Sequence, residues 1–326
     1  MIQYDCTNVK DGKASTDECE EYKPILYPFE PKKVCTSYIW GDPHLVTFDG
    51  VRFDAQPKGE AIFLMDEASP FGIHGRLTQA LAKYSLPAVT TGVAIHGKDV
   101  NQPTIQLFMT TGDDATAVID TPNGFSCPIG FYIDCTMQDS MSYQSSDLIV
   151  ESEGSEITVV YPGLLSVTFK VRMYGTCHFS MEVNLLDCEA AKDTVRGLLG
   201  SPNGDASDDW MDRDGNAITI PQGASAYFFE PAFDYTKLNW MVTDVNDSIF
   251  CPDEDFEEPD EEYDDEIEEL IEDPDECCIE ICGDDIGCLV ECVTLGCDAA
   301  EEFMNEQPPG TNNNNDQTDD DLVCGE

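Results

Sequence analysis

Basic side chains are scarce in this chain. Its 326 residues hold 16 Lys and Arg against 66 Asp and Glu, for a formal net charge of −50. Nucleic-acid affinity rests on cationic side chains neutralising phosphates, so this balance excludes a nucleic-acid partner. Anionic membrane surfaces are disfavoured for the same reason. Long apolar runs are missing too, and none approaches a transmembrane helix, so no membrane insertion is expected. The start, Met1-Ile2-Gln3-Tyr4-Asp5-Cys6, lacks the basic and apolar regions of a signal peptide. Histidine occurs only at 44, 74, 96 and 178, and neither H-E-x-x-H nor G-x-S-x-G is present. Gly92–Lys98 has the spacing of a phosphate loop, but Asp99 stands where Ser or Thr is needed. These absences leave no recognisable catalytic apparatus, and an enzyme is not expected.

What is abundant is acid and cysteine. Residues 251–326 hold 30 acidic residues and no Lys or Arg, whereas residues 1–250 hold 36 acidic and 16 basic. The chain therefore divides into a mildly acidic body and an acidic tail. The 15 cysteines point to an oxidising, extracellular compartment with structural disulfides. A secreted chain beginning as this one does is then expected to be a mature form or a fragment. The odd count leaves at least one Cys unpaired within the chain, and Cys324 is a candidate interchain link.

Composition sets the expected boundaries. Residues 1–34, with Cys6 and Cys19, are polar and read as a lead-in. From 35 to about 194, short runs rich in Val, Ile, Thr, Phe and Tyr alternate with Gly, Asn, Asp and Pro clusters. Leu165, Val167, Phe169, Val171 and Met173 alternate with polar or small residues, the period of a half-buried strand. An all-β sandwich of antiparallel sheets is expected. Cys188–Arg196 is a short helix candidate, and the aromatics of 225–250 are expected to pack back on the sheets. Between Asp253 and Glu276, 17 of 24 residues are acidic, too many for a folded segment; 251–276 reads as a linker. Residues 277–298 carry Cys277, Cys278, Cys282, Cys288, Cys292 and Cys297. The i, i+4 pairs Cys278/Cys282 and Cys288/Cys292 put two sulfurs on one face of each of two helices. A small helical hairpin stapled by two disulfides is expected. A zinc-thiolate site is the alternative, which the acidic, extracellular setting disfavours. Residues 299–326 are low-complexity and expected to be disordered.

Two segments carry the functional reading. One is Gly41-Asp42-Pro43-His44-Leu45-Val46-Thr47-Phe48-Asp49-Gly50. The other is Gly197-Leu198-Leu199-Gly200-Ser201-Pro202-Asn203-Gly204-Asp205-Ala206-Ser207-Asp208-Asp209. In the second, oxygen side chains at Asn203, Asp205, Asp208 and Asp209 crowd around Gly204. Such a loop can supply four of the six to eight oxygens that Ca²⁺ takes. The loop alone is equally consistent with a solvated Asn-Gly turn. Asp214-Gly215 reads as a hairpin turn.

Together the two segments resemble the opening GDPH-x-x-TFDG and closing GLCGN-x-NG-x-x-x-DD stretches of von Willebrand factor type D domains. The resemblance covers roughly 35–250, with Trp240-Met241-Val242 to Ser248-Ile249-Phe250 resembling the segment that trails the closing motif. It implies a β-sandwich-like fold with one structural Ca²⁺. It implies that Asp49 joins Asn203, Asp205, Asp208 and Asp209 around the ion, clamping the domain's start to its end. The family's Cys in GLCG is Leu199 here, so the resemblance implies that Cys35 takes another partner or stays free. Cys127, Cys135, Cys177 and Cys188 are further disulfide candidates. The Cys-dense modules that usually follow such domains are not recognisable, which argues against a multimerising assembly.

Asp42-Pro43 is a chemically labile bond, since the Asp carboxyl can attack its own carbonyl and proline is a good leaving group once protonated. Some mucin-like relatives cleave themselves at this motif, with His44 as the implied proton donor. The plainer reading, a turn leading into a strand, is preferred. The expected protein is thus extracellular and structural or adhesive, binding matrix or other extracellular proteins or itself. The alternative is an acidic calcium- or mineral-binding protein acting through its tail. An oxidative enzyme of the luciferase type, known among such domains, is the remote third reading. Asn246-Asp247-Ser248 is the only glycosylation sequon.

Overall fold

A computed structural model describes residues 32–41, 43–79, 88–110, 114–174, 176–218, 230–251, 274–283, 286–297 and 300–301. Lys33–Glu326 group as one unit, to which every element below belongs. The lead-in to residue 31 with Cys6 and Cys19, the acidic stretch 252–273, and 302–326 with Cys324 lie outside the described residues, as does Asp42.

Alternating apolar residues and Gly-, Asn- and Asp-rich turns fold into two antiparallel sheets, as expected. Strands β1 (Cys35–Trp40), β2 (His44–Val46) and β3 (Arg52–Asp54) begin the first sheet. The chain then crosses over and lays down β4 (Gly59–Asp66), β5 (Gly72–Gln79), β6 (Ala88–His96), β7 (Thr104–Met109), β8 (Ala117–Asp120), β9 (Ser126–Ile133) and β10 (Thr136–Met137). It returns to the first sheet with β11 (Tyr143–Gln144), β12 (Ile149–Glu153), β13 (Glu156–Tyr161), β14 (Leu165–Tyr174) and β15 (Thr176–Leu185). A four-residue helix, α1 (Cys188–Ala191), leads to β16 (Val195–Arg196) on the edge of the second sheet. The strand orders are β11-β12-β13-β14-β15-β1-β2-β3 and β10-β9-β7-β6-β5-β4-β16, with β8 added beside β9.

The period-2 reading of β14 holds. Leu165, Val167, Phe169 and Val171 are all fully buried. Across the ladder, Val167 faces Val183, Phe169 faces Met181 and Val171 faces Phe179. These side chains meet Phe63, Ile73, Val93, Ile95, Leu107 and Phe131 of the second sheet in one continuous core. Burial of this many large apolar side chains, at roughly 1.5–3 kcal/mol each, is the main term that holds the sheets face to face. Gly75 has a local role in that core. A Cβ there would lie 2.1 Å from the Phe63 ring, so the glycine leaves the space that the ring occupies.

Two elements differ from expectation. The helix expected over Cys188–Arg196 stops at Ala191 because Val195 and Arg196 pair with Asp66 and Met65 of β4. The aromatic region contains a helix, α2 (Glu230–Trp240), that no clear amphipathic pattern announced. Its Phe233, Tyr235 and Trp240 are nonetheless buried, as expected of aromatics packing back on the sheets. Tyr227, Phe228 and Phe229 lie outside the described residues.

Beyond the body, α3 (Glu276–Cys282) and α4 (Ile286–Leu295) form the anticipated helical hairpin. Three disulfides staple it rather than two, namely Cys277–Cys297, Cys278–Cys292 and Cys282–Cys288. The hairpin sulfurs and Ala300 pack against Trp40 and Val46, on strands β1 and β2. No helix among the described residues is long and apolar enough to cross a membrane.

Candidate functional site

The body disulfides fix the frame on which the two motifs meet. Cys35 pairs with Cys188, Cys127 with Cys177 and Cys135 with Cys251. Cys35, which the resemblance left to another partner or to none, is thus paired. Leu199 is itself fully buried in the core. Its segment runs along β4, with Leu198 N–H donating to Ile62 O at 3.2 Å and Leu199 N–H to Phe63 O at 3.0 Å.

The opening and closing segments are joined directly. Phe48 N–H donates to Leu199 O at 3.0 Å. The Asp49 carboxylate accepts from Gly204 N–H at 2.8 Å and Asp205 N–H at 3.1 Å, across more than 150 residues of sequence. Burial raises the Asp49 carboxyl above its usual range, with the Asp208 charge adding to it, although three backbone N–H bonds pull the other way. Asn203 Nδ2 donates to both Asp208 oxygens, at 2.9 and 3.2 Å. The Asp205 side chain instead accepts from Ser207 N–H (3.0 Å) and Oγ–H (2.6 Å), capping the short turn Ala206–Asp208. Those bonds hold its carboxyl below the usual carboxylate range.

Asp209 is the unusual group. It is 1 % exposed. One carboxylate oxygen accepts from Thr47 Oγ–H, and the other from Ser201 N–H at 3.1 Å. Desolvation pushes its carboxyl up to about 8, and the charges of Asp49 and Asp208 push the same way. A buried carboxylate is costly unless a cation or good hydrogen bonds compensate it. Among the described residues the charges that act on it are negative, and two donors offset the burial. Gly200, at φ +71°, is what admits this carboxylate: a Cβ there would lie 2.2 Å from Asp209 Oδ1.

Thr47, Gly200 and Ser201 thus belong to the site, though sequence reasoning assigned them no role. Thr47 stands in the opening motif, two residues before Asp49, and that position was its only signal. The site's floor comes from α2. Tyr235 stacks on Trp210 with ring centroids 4.3 Å apart, and its hydroxyl lies 3.4 Å from Asp209 O. Trp240 Nε1–H donates to the Tyr235 hydroxyl at 2.8 Å and to Met211 O at 3.1 Å. The trailing segment then follows β4, with Val242 N–H on Glu60 O at 2.7 Å and Ser248 Oγ–H on Glu60 Oε2 at 2.6 Å. Asp212 accepts from Gly215 and Asn216, closing the expected hairpin turn.

In donor chemistry the site suits a hard divalent cation: four carboxylates and an amide, with no basic side chain among the groups that act on Asp49 or Asp209. Its carboxylates are more widely spread than a closed cage. Among the described residues, the sole set of three or more Cys, His, Asp or Glu with ligand atoms all within 4.8 Å of one another is Cys277, Cys278, Cys292 and Cys297.

The GDPH segment connects adjacent strands, with Trp40 of β1 opposite His44 of β2. Pro43 O accepts from Ala55 N–H at 3.1 Å. His44 is buried, and its Nδ1 lies 2.7 Å from Asp54 Oδ1. One edge of the imidazole is therefore engaged with Asp54. Asp42 lies outside the described residues, so its relation to His44 does too.

No protein-family model matches the chain. It is similar to Mucin-4 of Mus musculus, at 22% identity over 229 residues, covering 65% of this chain and 6% of that protein. Mucin-4 of Homo sapiens is 22% identical over 208 residues, 63% of this chain and 4% of the human protein. Mucin-4 of Rattus norvegicus is 21% identical over 192 residues, 58% of this chain and 8% of that protein. The chain therefore spans a small fraction of the length of these relatives, and the likeness is to one region of them.

Proposed function

We propose that this is an extracellular structural or adhesive protein, built on a von Willebrand type D-like domain that one Ca²⁺ stabilises. The observation that carries the reading is the meeting of Asp49 with the Asn203–Asp205 loop, beside the buried, negatively surrounded Asp209. Asp49, Asn203, Asp208 and Asp209 would hold the ion, with Asp205 contributing if its cap on Ser207 opens. When bound, the ion supplies charge neutralisation and a cross-link. The protein's own residues do the rest. Thr47 and Ser201 orient the Asp209 carboxylate, Gly200 makes room for it, and the buried Trp210–Tyr235 stack, held by Trp240 Nε1–H on the Tyr235 hydroxyl, keeps water from beneath it. Such a clamp would tie the domain's first strands to its last loop. This serves a protein that binds matrix or extracellular partners, or copies of itself, without turning over a substrate. The likeness to Mucin-4 and the disulfides support the extracellular setting.

The test is a thermal melt in Ca²⁺ and in EDTA, on the wild type and on Asp208→Ala. An ion bound only to the folded state adds about 4 kcal/mol at a thousandfold excess over Kd. A large Ca²⁺-dependent rise, lost in the variant, is expected. Absence of any shift would sink the reading. Calorimetric titration should give one tight site; many weak ones would move the function to the acidic tail. A second incubation near pH 5.5 examines Asp42-Pro43. An unchanged reduced mass is the expected outcome, since the preferred reading of the motif is a turn leading into a strand.

A further inference from the structure

We propose that Cys277, Cys278, Cys292 and Cys297, when their two disulfides are reduced, constitute a zinc site, so that the hairpin has two alternative staples. The inference is independent of the calcium reading. It rests on a juxtaposition that the sequence spacing alone does not give. The four sulfurs come from the start of α3 and from α4 and its end, and all lie within 4.8 Å of one another. A tetrahedral zinc holds thiolates at about 2.3 Å, which places the sulfurs about 3.8 Å apart. The two bonded pairs would part on reduction, while the sulfurs of different pairs already lie within 4.8 Å, so the quartet is gathered in one place from which a tetrahedral set can form.

The surroundings suit such a site. Cys278 and Cys292 are buried, and Cys277 and Cys297 are half-buried at its rim. Trp40 and Val46 of the body pack against the same cluster, which limits access of water from that side. The third bond, Cys282–Cys288, joins the facing ends of the two helices and uses neither member of the quartet. The four-sulfur site therefore does not depend on that bond, whether it is formed or reduced.

The chemistry balances. A dithiol reductant gives two electrons and two protons to each of the two disulfides, yielding four thiols and two oxidised reductant molecules. One Zn²⁺ then displaces four thiol protons to form a four-thiolate complex. In the reverse direction, disulfide exchange with an oxidised partner restores Cys277–Cys297 and Cys278–Cys292 and expels the ion. A chain made under reducing conditions would hold zinc, and the same chain after export would hold disulfides.

The experiment uses the full chain, reduced with a phosphine without oxygen, and Co²⁺ as the spectroscopic probe. Sulfur-to-cobalt charge-transfer bands are expected, saturating at one Co²⁺ per chain and bleached by one equivalent of Zn²⁺. The carboxylate site near Asp209 cannot produce these bands, so the two sites are distinguished. Cys282→Ser/Cys288→Ser should keep the bands, and Cys278→Ser/Cys292→Ser should weaken Co²⁺ binding more than tenfold. Because reduction also opens the body disulfides, alkylation mapped by mass spectrometry provides a readout that does not depend on the body's fold. Zinc should protect Cys277, Cys278, Cys292 and Cys297, while Cys282 and Cys288 react. Absence of charge-transfer bands in the reduced wild type, or zinc protection of a different set of cysteines, would overturn the proposal.

Discussion

The β body and the helical hairpin that follows it are held by different physics. The body buries dozens of large apolar side chains between two sheets, and its three disulfides bridge separations of 153, 50 and 116 residues. The hairpin has two helices of 7 and 10 residues, and its bridges span 20, 14 and 6 residues. Helices this short are marginal in water on their own. The loop-closure model gives a bridge over 153 residues about 5 kcal/mol and one over 6 residues about 2 kcal/mol. In the body, then, each bridge adds to a core that already folds the chain. In the hairpin, three smaller contributions and a patch of contact with Trp40 and Val46 supply most of what there is.

The largest expected break of this contrast is Cys35→Ser/Cys188→Ser. It should cost the body up to about 5 kcal/mol, read as a lowered denaturation midpoint. Phe63→Ala should cost about 3–5 kcal/mol through cavity formation between the sheets, with hairpin protection against alkylation unchanged. A loss of under about 1 kcal/mol would show that the core is less closely packed than the structure has it.

The proposed cation site sharpens the comparison, because there the body buries a carboxyl whose ionisation burial opposes. Asp209→Asn should raise stability in EDTA and lower it in saturating Ca²⁺, so the two melting curves cross over between wild type and variant. Lower stability in both conditions would show Asp209 to be a structural hydrogen-bond acceptor and nothing more. The pH dependence has a defined sign. The Asp209 carboxyl stands at about 8 in the fold, above its value of about 4 in an unfolded chain. The folded state therefore binds the extra proton between these limits, and this contribution to stability falls as pH rises from about 4 through about 8. In EDTA the melting temperature should drop between pH 6 and 8.5. Ca²⁺ should flatten that slope, and Asp209→Asn should remove it.

The smallest expected effect belongs to the hairpin's short bridge. Cys282→Ser/Cys288→Ser should leave the global melt within error and lower local stability by about 2 kcal/mol, visible as faster amide exchange in α3 and α4. A lowered global melt would mean that the hairpin is part of the body's cooperative unit.

Much of the frame was legible from residue order. Period-2 patterning in Leu165–Met173 announced a strand with one buried face, and that face is the one between the sheets. The i, i+4 cysteines announced a helical hairpin, because that spacing has meaning only on a helix. Helix α2 escaped because its aromatics are spaced to fit Phe53, Trp210 and the edge of β4, not to make one apolar stripe. The early end of α1 escaped because pairing of Val195 and Arg196 with β4 is a long-range event that overrides local helical preference.

The sequence by itself determined the chemistry available: a charge that turns away phosphates, oxygen donors concentrated around Gly204, and sulfurs enough to staple both regions. It determined the strand periodicity too, since side-chain alternation is a local property. Only the tertiary structure decided who meets whom. It brought Asp49 to the Asn203–Asp205 loop, buried Asp209 beneath Thr47, gave Cys35 to Cys188, and gathered four sulfurs at one end of the hairpin. In the body those are distances between residues far apart in the chain, set by sheet register and core packing; in the hairpin they depend on how two short helices dock, which residue spacing alone does not encode.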